Sequence, residues 1–208
     1  MPPIETLLPF LLAALLMGAA PGPDNLYVLA QSLQHGRWAG VWVTLGLCSG
    51  LLFHTLAVAL GVAALLADSV LAFNLLKVAG ALYLLYLAWQ AFRAGAANSA
   101  PVAALTPPRL YRRGVLMNIS NPKISIFFLA FLPQFASPVN GPLAPQLLLL
   151  GALFMLTTLL VFGALAWSAG GIGQRIQGSS SLQRRLHQLA GMLFVGLSLR
   201  LLLSAQNH

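Results

Sequence analysis

The chain has few charged residues, few acidic ones and a single cysteine, and each shortage excludes a class of protein. Charged residues make up 7% of the 208 positions, whereas soluble globular proteins carry about 25%. The ordinary soluble class is therefore excluded. The three acidic residues, Glu5, Asp24 and Asp68, are too few for clustered carboxylates. Cys48 is alone, which rules out an intrachain disulfide and a thiolate metal cluster.

Long apolar runs take the place of the missing charge. Hydrophobic residues make up 59% of the chain, and several runs reach the roughly 20 residues that a helix needs to cross a bilayer. We therefore expect an all-α, polytopic membrane protein with a single domain, residues 1–208. Its helices would be held together by helix–helix contacts in lipid rather than by a water-excluding core.

Six apolar segments are long enough to be membrane spans. We predict them at about 5–34, 38–66, 70–93, 114–135, 143–169 and 187–203. The first is broken at Pro21 and Pro23 and the fourth at Asn121 and Pro122, because proline lacks an N–H group and interrupts a helix. Residues 94–108 are rich in Ala, Pro and Ser without apolar periodicity, which indicates a flexible linker.

The distribution of positive charge predicts the orientation. Eight cations lie in the loops that follow spans one, three and five, and a basic surface segment, 109–113, holds three of them. With six spans these loops share one side, which the positive-inside rule makes cytoplasmic. Both termini are then periplasmic. The net charge of +8 is explained by these loops, so we expect no binding to nucleic acid.

A weak internal repeat divides the chain into two halves, 1–93 and 113–208, joined by a cytoplasmic linker, 94–112. The segment 77–83 resembles 188–194, and each half begins with a broken span. Since three spans per half is an odd number, the halves must insert with opposite orientation. Inverted repeats with broken helices at their interface are typical of secondary transporters.

The two helix breaks are the best candidates for a functional site. Both lie roughly 12–16 Å from the edge of a hydrocarbon core about 30 Å thick, near its midplane. Pro23 and Pro122 each begin a half-helix whose first N–H groups attract anions. Asp24 follows the first break, and a carboxylate at this depth is a candidate functional residue. The alternative is that Asp24 only caps its half-helix.

Lys123 is the second charged candidate, because a cation at a helix N-terminus faces the unfavourable end of the helix dipole. It needs an anionic partner, either Asp24 across the repeat interface or a substrate carboxylate. A purely structural Asp24–Lys123 pair is the alternative. Together the two charges describe a site for a zwitterion. The neighbouring amides and the glycine of the first break complete the candidate site: Gly22, Asn25, Asn118 and Asn121.

Two polar residues inside spans have structural and functional interpretations of similar weight. Lys77 lies about seven residues inside the third span, and snorkelling to the surface explains it nearly as well as a functional role. His54 shares a helix face with Gly46 and Gly50, and we favour a hydrogen-bonded packing histidine over a proton relay. The two glycines form a pattern that favours close helix approach. One face of the third span either lines a path or packs as aromatics: Tyr83, Tyr86 and Gln90.

Four motifs can be recognised along the chain. They are Pro-Gly-Pro-Asp-Asn at 21–25, Lys-Val-Ala-Gly-Ala-Leu-Tyr-Leu-Leu-Tyr-Leu at 77–87, Arg-Arg-Gly at 112–114 with Asn-Pro-Lys at 121–123, and Phe-Leu-Pro-Gln-Phe at 131–135. Together they resemble the lysine exporter and homoserine/threonine resistance (LysE/RhtB) family over nearly the whole chain. The resemblance implies a bacterial inner-membrane amino-acid exporter driven by the proton gradient. It gives functional importance to Pro21, Gly22, Pro23, Asp24, Asn25, Lys77, Asn118, Asn121, Pro122 and Lys123.

The expected mechanism is proton antiport, with the amino acid bound between the two broken helices and Asp24 carrying ammonium or proton in turn. The partners are then a small amino acid, a proton and the lipid bilayer, and the sequence is compatible with a homodimer. An exporter of a divalent cation or other small solute is the alternative, although one Asp and a distant Cys are few ligands. An integral-membrane enzyme is a second alternative to amino-acid export. We expect no cofactor, no metal and no catalytic residue.

Overall fold

The computed structural model describes residues 2–20, 22–62, 70–94, 102–168 and 179–203. Within these residues the regular structure is helical, without a β-strand. In chain order the helices are α1 (Ile4–Ala19), α2 (Pro23–His35), α3 (Arg37–Ala57), α4 (Val70–Arg93), α5 (Pro107–Ile119), α6 (Pro122–Ile126), α7 (Leu143–Trp167) and α8 (Ser180–Leu203). Helix α3 ends in a π-helical turn, Val58–Val62, and α6 continues through π-helical Phe127–Phe131 into the 3-10 turn Leu132–Phe135.

The helices confirm the predicted class. Three stretches are each long and apolar enough to cross a bilayer: Arg37–Gly61, Leu143–Trp167 and Ser181–Leu203. Two bent pairs qualify as single spans, α1 with α2 at an angle of 58° and α5 with Pro122–Phe135 at 50°. The remaining predicted segment forms α4, one helix of 24 residues. The chain is an all-α polytopic membrane protein.

Two helices, α5 and α8, begin earlier in the sequence than predicted. Residues 109–113, expected as a separate surface segment, belong to α5, whose first position is a proline as helix starts often are. The last helix begins at Ser180 instead of His187. Both errors have one cause: hydropathy marks the apolar part of a helix, whereas polar turns extend it. The predicted ends of the second and fifth spans, 66 and 169, lie outside the described residues.

The linker between the halves is partly fixed against α2. Residues 102–106 have no regular secondary structure and lead directly into α5. Three hydrogen bonds attach them to α2: Gln31 Nε2 to Ala103 O at 3.2 Å, His35 Nε2 to Val102 O at 2.9 Å, and Val102 N to Gln34 Oε1 at 3.0 Å. The flexible linker predicted from composition is therefore wrong for 102–106, because its partners are remote in sequence. Residues 95–101 lie outside the described part.

The two halves pack through spans that correspond in the repeat. Helix α3 packs on α7, and α4 packs on α8. The first half-helix of each half also lies against the second span of the other half, α1 on α7 and α5 on α3. This reciprocal packing is what an inverted repeat predicts, and it brings the two breaks to the interface between the halves. The inverted orientation itself stays a prediction.

Small residues permit the closest of these helix contacts. Gly46 of α3 lies so near α5 that an added Cβ would overlap the carbonyl oxygen of Tyr111. A Cβ on Gly50 would lie 2.7 Å from the Cβ of Asn118. The predicted close approach at these glycines is confirmed. Since Asn118 precedes the second break by only three positions, this crossing also fixes where that break lies.

An aromatic cluster anchors the segment after the second break. Phe127 and Phe131 are fully buried, and their ring centroids lie 4.9 Å apart. Phe127 also contacts Phe154 of α7 at 5.2 Å. At its far end the cluster reaches α1, where Phe10 meets Phe135 at 5.2 Å. The second broken span is therefore held on two sides by elements of different halves.

Candidate functional site at the two helix breaks

The structure brings most of the predicted site residues together around one small cavity between the breaks. Its volume is about 20 Å³. The predicted residues that line it are Gly22, Pro23, Asp24, Asn25, Asn118, Asn121 and Lys123. Pro23 and Pro122 begin α2 and α6, as predicted from their missing N–H groups. Pro21, also predicted, lies outside the described residues.

Asn121 connects the two breaks through both ends of its side-chain amide. Its Nδ2 donates to Asp24 Oδ2 at 2.8 Å, and its Oδ1 accepts the backbone N–H of Lys123 at 3.0 Å. The second bond makes Asn121 the N-cap of α6, a position at which asparagine is favoured. One side chain therefore begins the half-helix of one half and holds the carboxylate of the other.

Asp24 is the second residue of α2, and it is buried, with 5% of the residue exposed. Among the described residues its hydrogen bond runs to Asn121 and not to the N–H groups of its own helix. The N-cap position belongs to Gly22, which has no side chain to offer. The interpretation of Asp24 as a simple cap is therefore not supported, and the carboxylate faces the interface between the halves.

The ammonium group of Lys123 caps the end of the first half-helix. Its Nζ donates to Met17 O and Ala20 O, both at 3.1 Å. These carbonyls lie at the C-terminal end of α1, where the helix dipole is negative and favours a cation. Within the described part of the chain, no ion pair closer than 4.0 Å joins Lys123 to Asp24. The direct contact considered from the sequence is not formed, because α1 supplies the partner.

The remaining polar groups of the first break are also engaged. Asn25 Nδ2 donates across the break to Gly18 O at 2.6 Å. Gly22 lies beside the lysine, since a Cβ added there would be 3.6 Å from Lys123 Nζ. The same ammonium lies 5.6 Å from the ring centroid of Phe194, within range of a cation–π contact. The lysine is thus buried among oxygen atoms and an aromatic ring.

Two acceptors in the cavity wall have no hydrogen-bond partner among the described residues. They are Asp24 Oδ1 and Asn118 Oδ1. Asn118 is 2% exposed, so water outside the protein does not pair its oxygen. Because nearly all buried polar groups in proteins are paired, these two atoms mark the place of a missing donor. The cavity between the breaks has room for about one water-sized group.

His54 and Lys77 lie apart from this cavity. His54 is buried, and its Nε2 donates to Asn118 O at 3.1 Å while its ring packs on Phe128. This contact favours the packing histidine expected from the sequence, since it pairs a carbonyl near the end of α5. Lys77 is half-buried on α4 and lines neither this cavity nor the one described next.

A larger cavity of about 380 Å³ adjoins the breaks between α4 and α8. Its volume is in the range of small-molecule sites. The break residues form its inner end: Gly22, Pro23, Asn121, Pro122 and Lys123. The polar and aromatic residues of its wall are Tyr83, Tyr86, Gln90, His187 and Phe194. Tyr83, Tyr86 and Gln90 form the face of α4 that the sequence analysis interpreted either as lining a path or as aromatic packing.

The sequence analysis did not identify two residues of this wall, His187 and Phe194. Phe194 had a signal, because the internal repeat aligns it with Tyr83, and the two lie on the same cavity. His187 had none, since the repeat begins one position after it. As to metals, no three His, Cys, Asp or Glu side chains in the described ranges are placed to hold an ion.

The fold and the site define a polytopic helical membrane protein whose two broken helices meet at a buried, charged centre. The family model described as LysE type translocator matches residues 15–205. The chain therefore belongs to the LysE type translocator family, and the resemblance inferred from its motifs is confirmed. Family membership makes it a membrane transport protein, a translocator of the LysE type.

Curated relatives support this assignment over almost the full length. The homoserine/homoserine lactone efflux protein of Salmonella typhimurium (strain LT2) is 34% identical over 188 residues, which cover 89% of this chain and 90% of that protein. The leucine efflux protein of Enterobacter sp. (strain 638) is 28% identical over 200 residues, 92% of each chain. An uncharacterized membrane protein of Vibrio cholerae is 34% identical over 196 residues, 93% of this chain and 94% of that one. No solved structure matches.

Proposed function

We propose that the protein exports amino acids across the bacterial inner membrane in exchange for protons, with the substrate bound at the two helix breaks. The observation that carries this proposal is the joint burial of Asp24 and Lys123 at one cavity between the halves. Opposite charges that are buried near the midplane without pairing directly suit the two ends of a zwitterion. The names of two relatives, efflux proteins for homoserine/homoserine lactone and for leucine, support the substrate class.

The larger cavity is the proposed entrance for substrate. It reaches Gln90 and Ala94 at the end of α4 that carries Arg93, and His187 near the start of α8, close to Arg185. By the positive-inside rule these basic ends are cytoplasmic, and both termini are periplasmic. The cavity therefore opens to the cytoplasm, as an exporter needs for loading. The small cavity at the breaks is too tight for an amino acid, so this conformation precedes full binding.

Lys123 is the proposed partner of the substrate carboxylate. A lysine ammonium has three donors, and two of them are used by Met17 O and Ala20 O. The third remains for a carboxylate that enters through the larger cavity, where Lys123 forms part of the inner end. The substrate ammonium would then be drawn to Asp24, which lies behind the same break residues.

The wall of the larger cavity favours amino acids with uncharged side chains. The described lining contains aromatic and amide groups and no carboxylate. A lysine or arginine substrate would carry a second cation past Lys123 without an anion to pair it, which is costly in a partly buried site. Leucine-like or homoserine-like side chains meet no such cost, because Tyr83, Tyr86 and Phe194 offer apolar contact.

Competition for Asp24 is the proposed basis of coupling. The carboxylate binds either the substrate ammonium or a proton, and one occupant excludes the other. If the halves rock between inward-open and outward-open states only when Asp24 is occupied, substrate moves out as protons move in. This follows the general scheme for transporters with inverted repeats, in which one repeat moves against the other around a fixed site.

Efflux of a panel of preloaded amino acids from cells tests the proposal. We expect faster efflux of neutral amino acids in cells that produce the protein than in cells without it. Cells that produce Asp24→Asn at the same level in the membrane serve as the matched control and should match the empty cells. Equal efflux with and without the protein across neutral, basic and acidic amino acids would overturn amino-acid export.

A further inference from the structure

The strongest unexplained feature of the molecule is a pair of unpartnered buried acceptors that belong to two residues of the small cavity's lining. Asp24 Oδ1 and Asn118 Oδ1 lack a hydrogen-bond partner in the described part of the chain. The hydrogen bonds of the two nearest donors are directed to other acceptors. Asn121 Nδ2 is bound to the other carboxylate oxygen, and the Lys123 ammonium is bound to carbonyls of α1. In this arrangement neither donor pairs Asp24 Oδ1 or Asn118 Oδ1, which leaves a place for a donor that comes from outside the chain.

Size limits what that donor can be. The cavity of about 20 Å³ holds roughly one water molecule. An amino acid does not fit, so the substrate ammonium is excluded in this conformation. A proton on Asp24 needs no volume, and it converts Oδ1 from an acceptor into a donor. Such a proton removes a buried charge, and it pairs both oxygens if Asn118 Oδ1 accepts the new donor, directly or through one water.

We propose that this cavity is the site of the exchanged proton, which Asp24 carries on Oδ1 while Asn118 Oδ1 accepts its hydrogen bond, directly or through one water. A hydronium ion from solvent gives up the proton, an O–H bond forms on Asp24, and a water molecule leaves. Release is the reverse step. Asn118 acts as a positioning residue that stabilises the protonated state. The role of this proton in exchange rests on the proposed function. The protonated Asp24–Asn118 pair itself does not depend on that function.

The charged surroundings of the pair are few. Lys123 of α6 lines the same cavity, and its charge opposes protonation of Asp24. Helix α3 contributes Leu51 to the cavity, while His54 lies outside it and is bound to the backbone of Asn118. The residues that α1 and α7 place there are uncharged: Met17, Gly18, Phe154, Thr158 and Phe162. Because Lys123 is directed to carbonyl oxygens, its hydrogen bonds do not compete with Asn118 for Asp24.

Infrared spectroscopy of the purified full-length protein tests the pair without any transport. The chain has only Glu5, Asp24 and Asp68 as acidic side chains, so a buried carboxylic acid is simple to assign. We expect a C=O stretching band of a protonated acid at neutral pH that is absent from Asp24→Asn. The band should shift to higher frequency in Asn118→Ala, which removes its acceptor. Glu5→Gln, at an exposed carboxylate, should leave the band unchanged.

Three results would overturn the proposal. The first is the absence of the band from the wild-type protein at neutral and mildly acidic pH. The second is a band that keeps its frequency in Asn118→Ala, or in Asn118→Ser if the alanine variant fails to insert. The third is a band that appears only when sodium is replaced by a large organic cation, since that result would show that a sodium ion, and not a proton, occupies the cavity in sodium buffer. A band of the expected kind in a protein without efflux activity would leave the proton site intact and refute the proposed function.

Discussion

Asn121 Nδ2 and Asp24 Oδ2 lie 2.8 Å apart, and this one hydrogen bond joins the two halves of the chain at their breaks. The same asparagine caps α6 through its other amide atom. Capping of α6 and bridging to Asp24 are therefore combined in one side chain. Any movement of one half against the other must either keep this hydrogen bond or break it. A substitution at Asn121 can test the bridge separately from the cap.

Asn121→Ser is expected to retain the cap and lose the bridge, because serine caps helices well but is too short to reach Asp24. Because the cap is kept, the loss of stability should not exceed the roughly 1.5–3 kcal/mol of the lost hydrogen bond to the buried carboxylate. Efflux should fall by roughly tenfold or more, since the lost hydrogen bond to Asp24 in its ionised, ammonium-binding state is worth about 1.5–3 kcal/mol. The measurement is efflux normalised to inserted protein. Unchanged efflux in Asn121→Ser would show that the bridge is dispensable.

Lys123→Met is expected to destabilise the protein as well as inactivate it. The substitution leaves Met17 O and Ala20 O without their donor at the end of α1, at a cost of roughly 1–3 kcal/mol for each buried group. The thermal unfolding midpoint in detergent should fall. The double variant Asp24→Asn/Lys123→Met should insert and stay inactive. If the two charges formed only a structural pair, the double variant would regain both the midpoint and the efflux.

Pro122→Ala is expected to give an inserted but transport-deficient protein. Alanine provides the N–H group that proline lacks, so the chain can continue as one helix through the 50° bend. Straightening would move Lys123 away from the carbonyls of α1. The matched control is Pro107→Ala, at the first position of α5 and remote from the breaks. Normal efflux by Pro122→Ala would count against the broken helix as part of the site.

The sequence predicted the breaks and the residues around them because their signals are local. Proline and glycine interrupt helices wherever they occur, and a charge such as Asp24 or Lys123 is conspicuous inside an apolar run. The partner of Lys123 could not be predicted in the same way. It consists of two backbone carbonyls at the end of α1, and carbonyls have no sequence signature. Only the packing of the halves decides which helix end lies within reach.

The part of the linker that the structure describes is a second feature whose partners could not be predicted from the sequence. Residues 102–106 have the composition of a flexible segment, yet Gln31 and Gln34 of α2 hold them by hydrogen bonds. Composition describes what a segment does alone and contains no information on remote partners. The apolar helices α3 and α7 were predictable because membrane insertion depends on the hydropathy of each segment by itself.

Gln90→Glu is expected to widen the substrate range toward cationic side chains. Gln90 lines the larger cavity, and a carboxylate there would pair the second charge of lysine. The ratio of lysine efflux to leucine efflux should rise above the wild-type ratio. Gln90→Leu, which changes polarity without adding charge, should not raise it. A wild-type protein that already exports lysine as well as leucine would contradict the specificity proposed from the cavity wall.

Cysteine labelling in a Cys48→Ala background tests the orientation. Val139, between the second broken span and α7, is 81% exposed, and we expect Val139→Cys to react with an impermeant external reagent. Ala104→Cys, in the ordered part of the linker, should react only when the reagent reaches the cytoplasm. External labelling of both positions to the same extent would refute two halves of opposite orientation.

The most direct test of the central claim uses purified protein in sealed vesicles loaded with leucine. When leucine flows out down its gradient, exchange at Asp24 must bring protons in, so a dye inside the vesicles should report acidification. Asp24→Asn vesicles, prepared at equal protein content, should show none. Acidification that depends on both leucine and Asp24 is the predicted result. Leucine efflux without acidification, or the same acidification in Asp24→Asn, would contradict proton exchange at the helix breaks.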